Sequence, residues 1–351
     1  MSLFDRDKSA ERLPVSLITG YLGSGKTTLL NHVLRQPGMG DSAVIVNEFG
    51  EVGLDHLLVE GVDPDIAVLA SGCICCTMRS DLEATMRGLL ARRDRGDVPP
   101  FRRILVETTG LADPAPIVQL LLNNPLLSHF VRLDAVLTTV DAINGERQLS
   151  EHREAAKQVA VADRLLLTKT DLAPSPAVAG LRRRLERLNP GATVLEVVQG
   201  KVSPDRLFGA GLFDPDAKTP DVRRWINEEA YGAHDPHDDH GHKGGSESRH
   251  DAEIRAFCLS FDTPLDWLTV MRWLDGLRQN RGENLLRVKG ILNLRVETVP
   301  IAIHGVHHVF HPPVALAAWP DDDRRSRIIF ITRGIERVEI EESWRETLAT
   351  A

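Results

Sequence analysis

Apolar residues along the amino-terminal part of the chain gather in short runs: Val15–Thr19, Ala43–Asn47, Ile66–Leu69, Ile104–Glu107, Ala135–Val140, Leu165–Thr168 and Val194–Val198. Such runs of Val, Ile and Leu with little alternation predict strands covered on both faces, as in a parallel sheet. Between them Thr28–Arg35 places Leu29, Leu30, Val33 and Leu34 at helical spacing, and Asp81–Arg93 and Ala177–Leu188 look similar. Strands alternating with helices predict an α/β domain.

The pattern stops after Trp225. The stretch GAHDPHDDHGHKGGSESRH at 232–250 contains no apolar run and predicts a flexible linker, because it cannot bury enough surface to offset its ordering entropy. Ala256–Phe261 then reads as a strand and Leu265–Gln279 as an amphipathic helix. Leu285–Leu294, Pro300–His311 and Arg327–Thr332 read as further strands. This second pattern predicts a smaller α+β domain with a mainly antiparallel sheet. The chain is therefore divided into a tail (1–13), an α/β domain (14–220), a His-rich linker (221–253) and a C-terminal domain (254–351).

Composition changes the picture in two respects. With 351 residues, 42% hydrophobic content and a net charge of −8, the chain can bury two cores, and it has no long basic block to suggest nucleic acid. Its start, MSLFDRDKSAERLP, is charged, and the first apolar run is too short for a signal core or a membrane span. A cytoplasmic protein without a membrane partner is expected. Three of the four cysteines, Cys73, Cys75 and Cys76, fall in the run SGCICCTMRS. In a reducing compartment that points to a metal or reactive site rather than disulfides.

The run GYLGSGKTT satisfies GxxxxGK[ST] through Gly20, Gly25, Lys26 and Thr27, between a predicted strand and a predicted helix. Its backbone N–H groups, from Gly20 through Gly23, Ser24, Gly25 and Thr28, suit phosphate binding at a helix N-terminus. Lys26 would contact the β/γ-phosphates and Thr27 would hold Mg²⁺. Strand Ile104–Val106 runs into ETTG, where Glu107 would hold Mg²⁺ through water and Gly110 would approach the γ-phosphate. After strand Leu165–Leu167 comes TKTD. Its Asp171 can accept from guanine N1–H and the 2-amino group, and adenine has no such donor pair. The polar run NEFGEVGLD at 47–55, with Glu48, Glu51 and Asp55, stands where a nucleotide-sensing loop would lie.

Taken together, GYLGSGKTTLLNHVL, VNEFGEVGLD, GCICC, ETTGLADP, TKTD and a late RVKG (Arg287–Gly290) resemble the CobW-type GTPase family of metallochaperones. That family is related to the GTPases that insert nickel into urease and hydrogenase. The resemblance implies a P-loop NTPase fold, GTP/GDP and Mg²⁺ as ligands, and slow GTP hydrolysis with Glu48 among the catalytic or metal-ligating residues. It also implies Zn²⁺ or another divalent transition metal at the CxCC, handed to a client metalloprotein, and it leaves a homodimer open. Thr168 and Lys169 stand at the start of the base-recognition motif, with Thr168 where many GTPases have Asn. A hydroxyl replaces only part of an amide's hydrogen bonding, and threonine at this place resembles several CobW-type members.

Three thiolates on one short loop supply most of a tetrahedral zinc shell and leave one position open for release. Buried cysteines packing as small hydrophobes, or a redox-sensing thiol pair, remain the alternatives at this point. Linker residues His234, His237, His240, His242 and His250 add a composition associated with metal capture, beside the plainer reading of a solvated linker. Cys258 reads as core, and His304, His307, His308 and His311 as packed or surface residues. Two competing functions are a Zn²⁺ buffer regulated by nucleotide and a P-loop kinase or ATPase. The CxCC beside the sensing loop opposes the first, and Asp171 opposes the second.

Overall fold

The computed structural model describes residues 12–47, 67–71, 78–209, 231 and 253–350. All the strands predicted for the α/β domain form: β1 (Leu13–Gly20), β2 (Ser42–Asn47), β3 (Ala67–Ser71), β4 (Arg103–Glu107), β5 (Val131–Asp141), β6 (Arg164–Thr168) and β7 (Thr193–Val197). They make one seven-stranded sheet in the order β3-β2-β4-β1-β5-β6-β7, with every pairing parallel. The reason lies in the unalternating apolar runs. Along β4, Ile104 and Val106 enter one core cluster with Val15, Leu17 and Ile45, while Leu105 enters another with Ile18, Val44 and Leu137. Helices cover both faces. Because all strands run the same way, Gly20, Glu107, Asp141 and Thr168 end at one edge of the sheet, where open α/β sheets bind their ligands.

Several elements depart from the sequence expectation. Strand β5 starts four residues before the predicted Ala135, at Val131. Asp134 interrupts its apolar run, yet this residue is buried and accepts from Ser16 Oγ at 3.1 Å and Gly209 N at 3.0 Å. Helices Ala115–Asn123, Gly145–Glu151, Arg153–Val161 and Arg337–Ala349 were not expected. The first is APIVQLLLN, apolar nearly all round and buried on most of its surface, so no period shows; the last buries only Ile340.

The C-terminal domain has strands β8 (Ile254–Phe261), β9 (Leu285–Leu292), β10 (Ile301–Val306), β11 (Val309–Phe310), β12 (Val314–Ala315) and β13 (Ser326–Arg333). Their order is β11-β10-β9-β13-β8, with β12 also on β10, and all pairings are antiparallel. The single strand expected over Pro300–His311 is a hairpin, because His307 takes a left-handed turn conformation (φ 53°). Helices Trp267–Arg281 and Arg337–Ala349 lie on one face, joined where Trp273 Nε1 donates to Ser343 Oγ at 2.8 Å.

The opposite face of this sheet rests on the α/β domain. Val306 and Val309 enter the core cluster of Ile117, Val118 and Leu121, and Leu286 and Ile331 enter that of Leu165 and Val159. Within 221–253, Tyr231 is buried against Cys258, Ile291 and Ile329. Among the described residues, no helix is long and apolar enough to cross a membrane.

Candidate nucleotide site

Strand β1 runs into a tight loop and then into helix Lys26–Leu34. The loop needs glycine at Gly20 (φ 137°), where a Cβ would lie 2.3 Å from Thr139 Oγ1. Gly25 stands at the helix N-cap in the left-handed region, so the loop closes over the first free N–H groups of the helix. Ser24 Oγ bonds Thr139 Oγ1 at 2.7 Å, fixing the loop to β5. Lys26 is buried, and its ammonium donates to the Gly20 and Tyr21 carbonyls at 3.0 and 3.3 Å, which keeps it curled over the loop. Thr28 is exposed.

Strand β4 brings Glu107 to this loop. Thr27 Oγ1 donates to Glu107 Oε1 at 2.7 Å, so the hydroxyl and carboxylate predicted to share a magnesium ion are brought together. A hydroxyl and a carboxylate are hard oxygen donors, and their closeness beside a phosphate loop fits Mg²⁺. Beyond Glu107, Thr108 N donates to Ile18 O at 3.0 Å, which extends the β4–β1 pairing past the end of the strand. At Gly110 a Cβ would lie 2.6 Å from Leu22 N, so only glycine lets the two backbones approach so closely.

The TKTD segment closes the other side. Thr168 is buried and its hydroxyl donates to Ser24 O at 2.7 Å and lies 3.2 Å from Val140 O. That hydroxyl therefore ties the segment to the phosphate loop. Lys169, at φ 57°, spans the same gap, donating to Gly23 O at 2.8 Å and to Asp141 Oδ2 at 2.7 Å. Asp171 is exposed at the rim.

Asp141 was missed by sequence reasoning. It ends β5, is buried, and accepts from Lys169, from Asn144 Nδ2 at 2.9 Å and from Ile143 N at 2.8 Å. Burial pushes its carboxyl up, but the bonds from Lys169, Asn144 and Ile143 outweigh that and hold it below the usual range. The signal was present in the sequence, as a carboxylate directly after the apolar run VLTTV at the carboxyl end of a strand.

Glu48, Glu51, Asp55, Cys73, Cys75, Cys76, His234, His237, His240, His242 and His250 lie outside the described residues. Among the described residues no group of three or more His, Cys, Asp or Glu could hold a metal ion. Cys258 is buried on β8 as expected; His304 and His307 are buried and His308 is exposed.

A seven-stranded parallel sheet with this phosphate loop is a P-loop nucleotide-binding domain. Residues 14–196 match the CobW/HypB/UreG nucleotide-binding domain and residues 254–348 the C-terminal domain of the cobalamin synthesis protein cobW, so the chain belongs to the CobW family. It is similar to the "Zinc chaperone YjiA" of Escherichia coli, 33% identical over 91% of this chain and 93% of that one. A "Zinc-regulated GTPase metalloprotein activator 1" of Schizosaccharomyces pombe is 32% identical over 57% of this chain and 49% of that protein. A crystal structure of the Zn(II)-bound YjiA GTPase from E. coli superimposes with a TM-score of 0.71 at 29% identity, covering 96% of this chain and 99% of that one.

Proposed function

We propose that the protein is a GTP-hydrolysing zinc chaperone that loads a client metalloprotein. The observation that carries the nucleotide half is the Thr27–Glu107 bond of 2.7 Å beside a loop closed by Thr168 and Lys169. The metal half rests on the thiolates Cys73, Cys75 and Cys76 and on relatives named zinc chaperones. Gly20, Gly23, Ser24, Gly25 and Thr28 present backbone N–H groups to the phosphates, and Lys26 neutralises the β/γ oxygens. Thr27 and Glu107 hold the magnesium ion, which when bound offsets charge on the transferred phosphoryl group. Gly110 offers its N–H near the γ-phosphate. Zn²⁺ is cargo on the three cysteines, with Glu48 as the fourth ligand and the linker histidines His234, His237, His240 and His242 as capture sites.

Base choice follows Asp171 in this reading. Asp171→Asn exchanges an acceptor for a donor and is expected to weaken GTP at least about tenfold while favouring xanthosine triphosphate, whose base carries an oxo group in place of the amino group. Competition binding with GTP, XTP and ATP checks it; equal affinity of the wild type for all three removes the guanine assignment.

The test of the carrier is reciprocity. The cysteines lie in the chain between the Glu48 run and the Glu107–Gly110 segment, so nucleotide state and zinc affinity are expected to be linked by roughly 5- to 150-fold. Zn²⁺ affinity is to be measured by chelator competition in apo, GDP and non-hydrolysable GTP-analogue states, with Cys75→Ser and Cys76→Ser as controls. The same affinity in all three states turns the protein into a buffer.

A further inference from the structure

Helix Arg153–Val161 packs against β5 and β6 with Tyr21 of the phosphate loop beside it, and it grips the segment that follows Glu107. Gln158, 1% exposed, donates its Nε2 to two carbonyls at once, Gly110 O at 3.2 Å and Ala112 O at 3.0 Å. One residue earlier, Lys157 Nζ donates to Asp113 Oδ2 at 2.9 Å. Two adjacent side chains of one helix thus hold Gly110, Ala112 and Asp113, the stretch that sits against Leu22 of the phosphate loop.

The helix making that grip is itself fixed at every carbonyl of its last turn. Thr138 Oγ1 on β5 donates to Gln158 O at 3.0 Å. Asn189 Nδ2 reaches Val159 O, Ala160 O and Ala162 O at 2.8, 3.2 and 3.0 Å. The remaining carbonyl, Val161 O, accepts from Arg287 Nη1 of the C-terminal domain. Helix ends ordinarily leave their last carbonyls to solvent. Here side chains from β5, from the end of helix Ser175–Leu188 and from β9 take them all, which makes the helix a rigid platform.

Gln158 is also a costly residue to place there. Among the described residues its buried Oε1 has no hydrogen-bond partner, a defect of about 1–3 kcal/mol that an apolar side chain of similar length would not carry. Packing alone therefore favours Met or Leu, and the amide is accounted for by its donor. We infer that Gln158 is a positioning residue for GTP hydrolysis, holding the Gly110–Ala112 backbone so that the Gly110 N–H faces the γ-phosphate, on a platform completed by the C-terminal domain. The inference rests on the GTPase reading above. A pre-set donor needs no reorganisation as charge develops on the transferred group, and losing such a donor typically costs about 10²–10³ in rate. Gln158 acts one step removed, through the backbone, so a smaller loss follows.

The test uses the full chain with GTP and Mg²⁺. Gln158→Met is expected to lower kcat by roughly tenfold and to lower the affinity for a non-hydrolysable GTP analogue relative to GDP by a similar factor, with GDP affinity unchanged. A purely structural residue would instead move both nucleotides together and leave kcat alone, and that result overturns the inference. Gln158→Glu adds a signature of its own. An ionised carboxylate can donate to neither carbonyl, whereas the protonated acid has one O–H and regains one of the two bonds, so its kcat relative to wild type is expected to rise in part as the pH falls from about 8 to 6. A flat relative profile counts against the donor role. Should the buried variants not fold, the part-exposed Lys157→Met decides: a fall in the analogue-to-GDP ratio supports the platform, and an unchanged ratio overturns it. A wild type without GTP turnover removes the GTPase reading, and the analogue-to-GDP ratio then still tests Gln158.

Discussion

Replacing Lys26 by alanine is expected to reduce GTP turnover by about 10²–10³-fold or more, the scale seen when one preorganised charge partner of a transition state is removed. The geometry favours a clean result. The ammonium is held over the phosphate loop by the Gly20 and Tyr21 carbonyls at 3.0 and 3.3 Å, the place from which it can follow charge building on the β/γ oxygens. Its backbone opens helix Lys26–Leu34, and alanine has the highest helix propensity, so the helix should start as before. The Gly20 and Gly25 conformations that shape the loop do not depend on the side chain. Thermal stability should therefore hold while hydrolysis is lost. Mg²⁺-dependent phosphate release measured beside a melting curve separates the two, and a variant that turns over at the wild-type rate with an intact fold shows the phosphate site to be misassigned.

Most of this site is local in the chain, and that is why the sequence shows it. The loop Gly20–Thr28 and the segments after β4 and β6 each carry their chemistry within a few residues of a strand end, so strand prediction alone places them on one edge. What stays hidden is whatever depends on a partner far along the chain. Gln158 grips a backbone 46 to 48 residues before it, and nothing in REAAKQVAV separates an amide with that task from a solvated one. Asp134 and Asp163 read as breaks in apolar runs, because their partners are Ser16 and Gly209 in one case and Arg287 and Lys289 in the other. The RVKG motif shows the same limit. It contributed to the family resemblance, but only the structure shows Arg287 and Lys289 turned from β9 toward the neighbouring domain. Over hairpin β10–β11 the sequence predicts one strand because HGVHHVF has no Pro, Asn or Asp to signal a turn, and His307 adopts the left-handed conformation in place of a glycine.

Arg287→Met is the substitution expected to cost most in stability. Asp163 is buried; one carboxylate oxygen accepts from Arg287 Nη2 and from Lys289 Nζ at 2.9 Å, and the other from Val136 N at 3.0 Å. Burial pushes the Asp163 carboxyl up, and the Arg287 and Lys289 charges outweigh that and hold it below the usual range. Burial pulls Lys289 down to about 8, with the Arg287 charge adding to the effect and Asp163 opposing it. Removing the guanidinium leaves the carboxylate with less compensation and strips Val161 O of its donor, and breaking a buried pair from one side typically costs about 3–5 kcal/mol. Arg287→Lys keeps a charge but has no planar fork to reach Asp163 and Val161 together, so it should recover only part of the loss. Urea melts of the full chain read the size of the effect, and hydrogen exchange over β9 and helix Arg153–Val161 reads its place. Loss of protection on both sides of the domain contact identifies Asp163 and Arg287 as its anchor; a loss of less than about 1 kcal/mol would mean that the apolar contacts of Leu286, Ile331, Val306 and Val309 hold the domains without them.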